Sequence, residues 1–524
     1  MDDAMNARGS ITRHILMFCL ATGLIGGCTP LPSLDGRSIS TALSDTESNA
    51  TRLGKAISSS IEAHPGKSGI HPLPNAHDAF AVRALLAQAA ERTLDIQYYI
   101  WHWDMTGILL LEALHASADR GVRVRLLLDD NNTSSELDAM LMALDSHPNI
   151  EVRLFNPFMI RKPRVIGYIT DFSRANRRMH NKSFTADNQA TIIGGRNVGD
   201  EYFGAAEGVL FADLDVMAVG AVVKEVSNDF DRYWASESSY PIDRILSPAD
   251  PAMIKELASA ASMVESDPAA VAYMDTRRNS AVVRKLVQGN LEQEWVVTRM
   301  VSDDPGKGLG PVSKDSHLTH ELNEIIGEPE AEVELVSPYF VPTAAGVDAF
   351  VALASRGVDI KVFTNSLEAT DVPVVHAGYA KWRKPLLEAG ITLYETRLLS
   401  PEAERDRRTG ILGSSGSSLH AKTFSVDHSS IFIGSFNFDP RSAKLNTELG
   451  FVIDSPTLAK QIDAIFDGGI PENAYEVRLS DNGNLYWLEN RDGKSVRHET
   501  EPGTNFWQRA MVSFLSWLPI EWLL

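Results

Sequence analysis

One stretch of this chain occurs twice, and no other feature restricts the fold as strongly. Met179–Gly199 reads MHNKSFTADNQATIIGGRNVG, and Leu419–Asp439 reads LHAKTFSVDHSSIFIGSFNFD. Each copy has a histidine, a lysine two residues on, and an aspartate five residues after that: His180, Lys182 and Asp187, then His420, Lys422 and Asp427. A glycine and an asparagine follow at matching places, Gly194 and Asn197 in one copy, Gly434 and Asn437 in the other. Phe184, Ile192 and Ile193, like Phe424, Val426 and Ile431–Ile433, favour strands, whereas Asp187-Asn188 and Asp427-His428-Ser429 are turn formers. Each copy therefore predicts a strand, a tight turn and a returning strand. Positions i and i+2 of a strand share a face, so each lysine projects beside its histidine.

The chemistry follows from the residue types. A neutral imidazole serves as nucleophile or base near neutral pH, and an imidazolium serves as an acid. Two such sets meeting across a cleft would offer two imidazoles, plus lysine and asparagine donors for the anionic oxygens of a phosphodiester. Unrelated surface histidines would be the plain reading of one HxK, but not of a duplicated five-position pattern.

HxKx4D followed by G-[SG]-x-N, twice in one chain, resembles the phospholipase D superfamily. The runs LDIQYYIW (94–101), RGVRVRLLLDDNN (120–132), GYITDFSRANRRMHNKSF (167–184) and IGSFNFDPRSAKLNTELGFVI (433–453), with PIEWLL at 519–524, are similar to its bacterial cardiolipin synthase C branch. The resemblance covers about residues 75–524. It implies a phosphatidyltransferase that makes cardiolipin from phosphatidylglycerol and a donor lipid, phosphatidylethanolamine or a second phosphatidylglycerol, through a phosphohistidine. It also implies His180 as nucleophile and His420 as acid, then base, with Lys182, Lys422, Asn197, Asn437 and Ser435 around the phosphoryl oxygens. Gly195 departs from the pattern where Ser435 keeps it. Asp213 and Glu448 stand at comparable places after the two motifs, and the family sets such acids across the lobe boundary. That would pair Glu448 with His180 and Asp213 with His420; ordinary surface carboxylates are the competing reading. Asp187 and Asp427, named with the catalytic set, sit at turns where a carboxylate caps backbone groups. The reading needs no cofactor or metal. A hydrolytic phospholipase D is the nearest alternative, a phosphodiesterase or nuclease a more distant one, and an inactive membrane scaffold the non-enzyme one.

The rest of the chain is expected to serve this site. Residues 1–28 read as an export signal: Arg8, Arg13 and His14, then the apolar Ile15–Ile25, then Gly26-Gly27-Cys28. LIGGC resembles a lipobox, which makes Cys28 the lipid anchor of a periplasm-facing bacterial lipoprotein, by Thr29 more at the outer than the inner membrane. Cys19 is the only other cysteine, so no disulfide framework is available. Residues 29–75 are rich in Ser, Pro, Gly and Asn and read as a flexible tether, with a short helix possible near Leu43–Ile61. Alternating strand and helix patterns over 76–265 recur over 266–500, including Arg120-Gly121-Val122 against Arg356-Gly357-Val358. The expected fold is thus α/β: two similar phospholipase D-like lobes with mixed, largely parallel sheets flanked by helices, forming a pseudo-dimer within one monomeric chain. A net charge of −20 weighs against nucleic acid as a partner; membrane phospholipids are the expected one. Arg161, Lys162, Arg164, Arg174, Arg177 and Arg178 form a basic cluster that suits either a solvated face or anionic head groups. Phe506–Leu524 is apolar and rich in tryptophan, fitting either the membrane interface or docking on the body.

Overall fold

The computed structural model describes residues 30–524, apart from 206–210, 249, 251, 268–269, 272, 274–279, 399–408, 411–412, 415–417 and 492. The expected export signal and Cys28 lie outside the described residues. Two large sheets form the framework, of nine and ten strands. In the first, the apolar segments Thr93–Tyr98, Arg123–Asp129 and Ile150–Phe155 run parallel. In the second, Glu332–Val336, Asp359–Asn365 and Thr392–Thr396 do the same. Helices Met105–Asp119 and Thr343–Ser355 make the first crossover of each set. Gly121 and Gly357 follow them in the left-handed region, at φ +92° and +94°, where the chain must turn sharply into the next strand.

The sheets are mixed, as expected, with the parallel part confined to three strands of each. Parallel pairing stops at those three strands, because parallel neighbours need a long crossover and the remaining connections are hairpins or edge additions. The motif hairpins, Ser183–Ala186 with Ala190–Gly194 and Thr423–Val426 with Ser430–Gly434, join antiparallel. Asp215–Gly220 and Leu449–Ile453 then add antiparallel beyond them.

The two hairpins share one apolar core. Ile193, Leu214 and Val216 of the first lobe pack in one cluster with Ile431, Ile433, Leu449 and Phe451 of the second. All seven are at most 1% exposed, and each such side chain stabilises by about 1.5–3 kcal/mol when fully buried. The lobes are thus held hairpin against hairpin, which brings the two histidines inward. Strand Glu294–Val296 still pairs with Ser68–Leu73 of the first sheet, and Thr298–Ser302 pairs with Leu449–Ile453 of the second. The chain therefore changes sheets at Val297, later than the expected boundary near 265. Val282, Leu286, Leu291 and Trp295 pack against the first lobe's core, which explains the shift.

The expected tether is also corrected. Helices Asp45–Asn49 and Arg52–Ala63 and strand Ser68–Leu73 occupy its length, and the segment before them is fastened to the first lobe. Arg37 donates to the Ser236 and Ser239 carbonyls (2.6 and 3.1 Å), Arg153 to the Ser38 carbonyl (2.8 Å), and Ala42 N–H to Asp231 (2.8 Å). Arg37 of the segment itself and the buried Arg153 of strand Ile150–Phe155 provide these anchors, which composition alone does not reveal. No helix among the described residues is long and apolar enough to cross a membrane.

Candidate active site

The histidines sit just before the first strand of each hairpin and are tied to the opposite lobe by backbone. His180 N–H donates to the Thr447 carbonyl (2.9 Å), and His420 N–H to the Ala212 carbonyl (2.8 Å). These contacts carry the residue that follows each carbonyl to the opposite imidazole. Glu448 Oε2 lies 2.8 Å from His180 Nδ1, and Asp213 Oδ2 lies 2.5 Å from His420 Nδ1. All four residues are buried. An Nδ1 engaged in this way leaves Nε2 as the nitrogen free to react. Lys182 and Lys422 each donate to the carbonyl of their own histidine, and Lys422 Nζ also lies 3.1 Å from His420 Nδ1. Tyr99 stands edge-on to His180 with ring centroids 5.0 Å apart, and Tyr202 to His420 at 5.3 Å.

The two halves differ electrically. Burial, then the charges of Lys182, Lys422 and His420, push the His180 imidazole well below its usual value. Burial and Lys422 also lower His420, but there the charge and hydrogen bond of Asp213 oppose them. Burial works to raise Asp213, yet His420, Lys422 and Arg196 hold it well below the ordinary carboxylate range. Glu448, by contrast, is pushed by burial up to about 7, against the pull of Lys182. His180 is therefore the harder ring to protonate, and His420 the one with a firm counter-charge. Burial also brings Lys182 down to about 7 and Lys422 to about 8.

Asp187 and Asp427, grouped with the catalytic residues by the resemblance, lie at the far ends of the hairpins and touch neither imidazole. Asp187 accepts from the N–H groups of Glu91, Arg92 and Thr93 (3.0, 2.8 and 3.0 Å), and Asp427 from those of Glu330, Ala331 and Glu332 (3.1, 2.7 and 3.0 Å). Both adopt positive φ, 52° and 51°, which Asp tolerates better than most residues. Ser435 is likewise occupied within the protein. Its hydroxyl donates to Glu448 Oε2 (2.5 Å) and accepts from Leu449 N–H (3.0 Å), so it aims the acid. The matching residue is Gly195 for a steric reason: a Cβ there would lie 2.0 Å from Asp213 Oδ1. Asn197 turns its oxygen to Ile100 N–H (3.2 Å), leaving its amide beside Tyr202. Asn437 is buried with its Oδ1 unpartnered among the described residues.

Sequence reasoning missed Asp303. It accepts from Glu448 N–H (2.9 Å), from Leu318 N–H (3.0 Å) and from Lys307 Nζ (2.8 Å), holding the Glu448 backbone in place. The only signal was an acidic pair in the loop SDDPGKG. The basic cluster is mostly internal: Arg161 pairs with Asp130 and Asp138, Arg178 with Asp129, and Arg177 donates to the Lys307 and Lys444 carbonyls. It is a framework, with little left for head groups.

A family model described as "Cardiolipin synthase, PLD-like domain" matches residues 82–234 and 322–469, one span around each hairpin. The chain belongs to this family. Cardiolipin synthase C of Escherichia coli (strain K12) is 51% identical over 473 residues, 90% of this chain and 100% of that protein. Cardiolipin synthase 1 of Staphylococcus epidermidis (strain RP62A) is 23% identical over 73% of this chain and 64% of its own length. The crystal structure of a phosphatidylserine synthase from Haemophilus influenzae Rd KW20 superposes with a TM-score of 0.55 at 14% identity, covering 89% of this chain and 96% of that one, a likeness of fold. Two phospholipase D-like repeats in one cardiolipin synthase-family chain agree with the two crossed histidine–acid pairs.

Proposed function

We propose that this protein is a phosphatidyltransferase that makes cardiolipin from phosphatidylglycerol and a donor phospholipid, phosphatidylethanolamine or a second phosphatidylglycerol. The observation that carries this reading is the crossed pairing of two buried imidazoles with acids of the opposite lobe, His180 with Glu448 and His420 with Asp213. Neutral His180 Nε2 attacks the donor's phosphorus while the bond from phosphorus to the head-group oxygen breaks. His420, protonated and paired with Asp213, gives its proton to that leaving oxygen. A phosphohistidine on His180 results. His420, now neutral, takes the proton of a primary hydroxyl of phosphatidylglycerol; that oxygen attacks phosphorus, the N–P bond breaks, and cardiolipin leaves. Lys182, Lys422, Asn197 and Asn437 hold the phosphoryl oxygens as charge builds. Glu448 keeps His180 in the Nδ1–H tautomer, the role a carboxylate plays beside a reacting imidazole.

The same reading places the body against a lipid surface. Helix Phe506–Ser516 packs Val512 against Leu367 and Ala377, while Phe506, Trp507, Phe514 and Trp517 are 66, 78, 65 and 89% exposed. Helix Arg164–Thr170 exposes Val165 and Ile169, and its Tyr168 bonds Asn131, which donates to the Tyr99 hydroxyl beside His180. Arg441 ties together the segments that follow these helices, donating to the Asn176 carbonyl (3.0 Å) and the Leu523 carbonyl (3.2 Å). An apolar rim connected to the reacting ring suits substrates drawn from a bilayer. Acylation of Cys28 with removal of residues 1–27 would add a permanent anchor on the periplasmic side, and the outer membrane is the destination favoured by Thr29.

The deciding experiment supplies labelled phosphatidylethanolamine in vesicles with and without phosphatidylglycerol. Labelled cardiolipin and released ethanolamine, only when phosphatidylglycerol is present, are expected. Phosphatidic acid as the sole product in both mixtures would replace this reading with a hydrolytic one.

A further inference from the structure

At the far end of the second hairpin, three side chains converge without chemistry in the scheme above. His428, next to Asp427 in the turn, has Nδ1 2.8 Å from Asp463 Oδ2 and 3.1 Å from Glu332 Oε1. One ligand atom from each of the three lies within 4.8 Å of the other two. Glu332 is on the central strand Glu332–Val336, and Asp463 is on helix Pro456–Ala464. Glu334, two residues along the same strand, faces the same way and is close enough for the Glu332 and Asp463 charges to repel it.

The first lobe shows what a balanced version looks like. Thr93 and Glu332 are equivalent, since each N–H donates to the turn aspartate of its lobe. Asp95 then matches Glu334, and Arg125 matches Lys361, by register. Asn188 matches His428, and its amide donates to Ser227 Oγ (2.8 Å), where His428 meets Asp463. Asp231 matches Asp467: Arg125 is 2.8 Å from the one, Lys361 3.2 Å from the other. The first lobe thus sets two carboxylates against a bidentate arginine, and Leu43 N–H caps Asn188 (2.9 Å). The second sets four carboxylates, Glu332, Glu334, Asp463 and Asp467, against one lysine and one imidazole.

That excess leaves atoms unsatisfied. Glu332 Oε1, Glu334 Oε2 and Asp463 Oδ1 are buried and find no hydrogen-bond partner among the described residues. Glu332 is 8% exposed and Glu334 0%, and a buried carboxylate oxygen without a partner costs about 1–3 kcal/mol or more. The single proton on His428 Nδ1 goes to Asp463 and cannot also serve Glu332. A cation bound by Glu332, His428 and Asp463 would give both of these ligating carboxylates the positive partner that one imidazole cannot share between them.

We infer that the turn of the second hairpin holds one divalent transition-metal ion, ligated by Glu332, His428 and Asp463, with Glu334 buried behind them. One imidazole with carboxylates suits Zn2+ or Mn2+ better than Ca2+, which takes an all-oxygen shell. His428 is half exposed, so an ion can reach the site from solvent. Bound there, it would pin the hairpin that carries His420 to the helix beside it. The inference stands apart from the lipid chemistry.

The test uses the whole chain, dialysed against EDTA and then titrated with Zn2+ by calorimetry and with Mn2+ by electron paramagnetic resonance. One equivalent of saturable binding is expected, with a rise in the thermal unfolding midpoint. His428→Ala and Asp463→Asn, both on accessible elements, should each weaken binding by about tenfold or more and abolish that rise. His102→Ala, in a second His–Asp–Glu group (His102, Asp104 and Glu201), should change neither. Absence of saturable binding for both ions, undiminished binding in His428→Ala, or loss of binding in His102→Ala would each overturn the inference.

Discussion

A carboxylate 2.5 Å from His420 and another 2.8 Å from His180 are not equivalent when one stays ionised and the other is pushed up to about 7. Asp213→Asn should therefore remove the counter-charge of the protonated ring and lower kcat by about 10²–10⁴-fold. Glu448→Gln, which keeps a hydrogen-bond acceptor on a ring that stays neutral, should cost less; turnover of the two variants side by side checks the order. His420→Asn should accumulate a phosphohistidine that acid quench and phosphate mapping detect, whereas His180→Asn should form none. The lysines set the alkaline limb. Each is charged below its pKa, so kcat/KM should fall as pH rises through about 7–8, where Lys182 and Lys422 lose their protons. The same limb in kcat should lie higher, because a bound phosphodiester favours the charged lysines. A flat kcat/KM up to pH 9 would remove the lysines from phosphoryl binding. Gly195→Ala places a methyl 2.0 Å from Asp213 Oδ1; we expect about 1–3 kcal/mol of destabilisation from the forced shift.

Among elements, the hairpin carries both function and anchorage, at opposite ends. Asp187 is buried and accepts three backbone N–H groups, so Asp187→Ala should cost about 1–3 kcal/mol of stability. It touches neither ring, so turnover per folded molecule should hold while the unfolding midpoint drops. A loss of kcat at unchanged midpoint would put Asp187 in the chemistry. The C-terminal helix makes the complementary case. Trp507→Ala with Trp517→Ala removes exposed rings and leaves Val512 in place. Vesicle sedimentation should fall, while turnover of a short-chain soluble phosphodiester stays as it was.

Across the whole molecule, both imidazoles and both acids come from one polypeptide. Mixing His180→Asn with His420→Asn protein should accordingly restore no transfer; recovery would mean that the lobes exchange between chains. The duplication was legible because its markers are local: histidine and lysine two apart on a strand, turn formers between apolar runs, and glycine after each crossover helix. Strand, helix and strand rhythm led to two α/β lobes for the same reason. Sheet direction was less legible, since the hairpins that make the sheets mixed depend on which edge each joins. The fastening of residues 37–48 was hidden too, because Arg37, Arg125 and Arg153 reach their partners only through the fold. Ser435 looked like a phosphate ligand by its place in the motif, yet its hydroxyl direction is set by Glu448 across the strand pair. Asp303 and the group around His428 left almost no trace, as their members are scattered over loop, strand, turn and helix.

The change of sheets at Val297 has a consequence for a ribosome-made chain. When only the first lobe has emerged, it possesses His180 without Glu448, and Asp213 without the ring it serves. Such a half-made molecule has neither crossed pair and cannot complete a transfer on its own. Transfer is thereby postponed until His420 and Glu448 have both been made and the second hairpin has folded against the first.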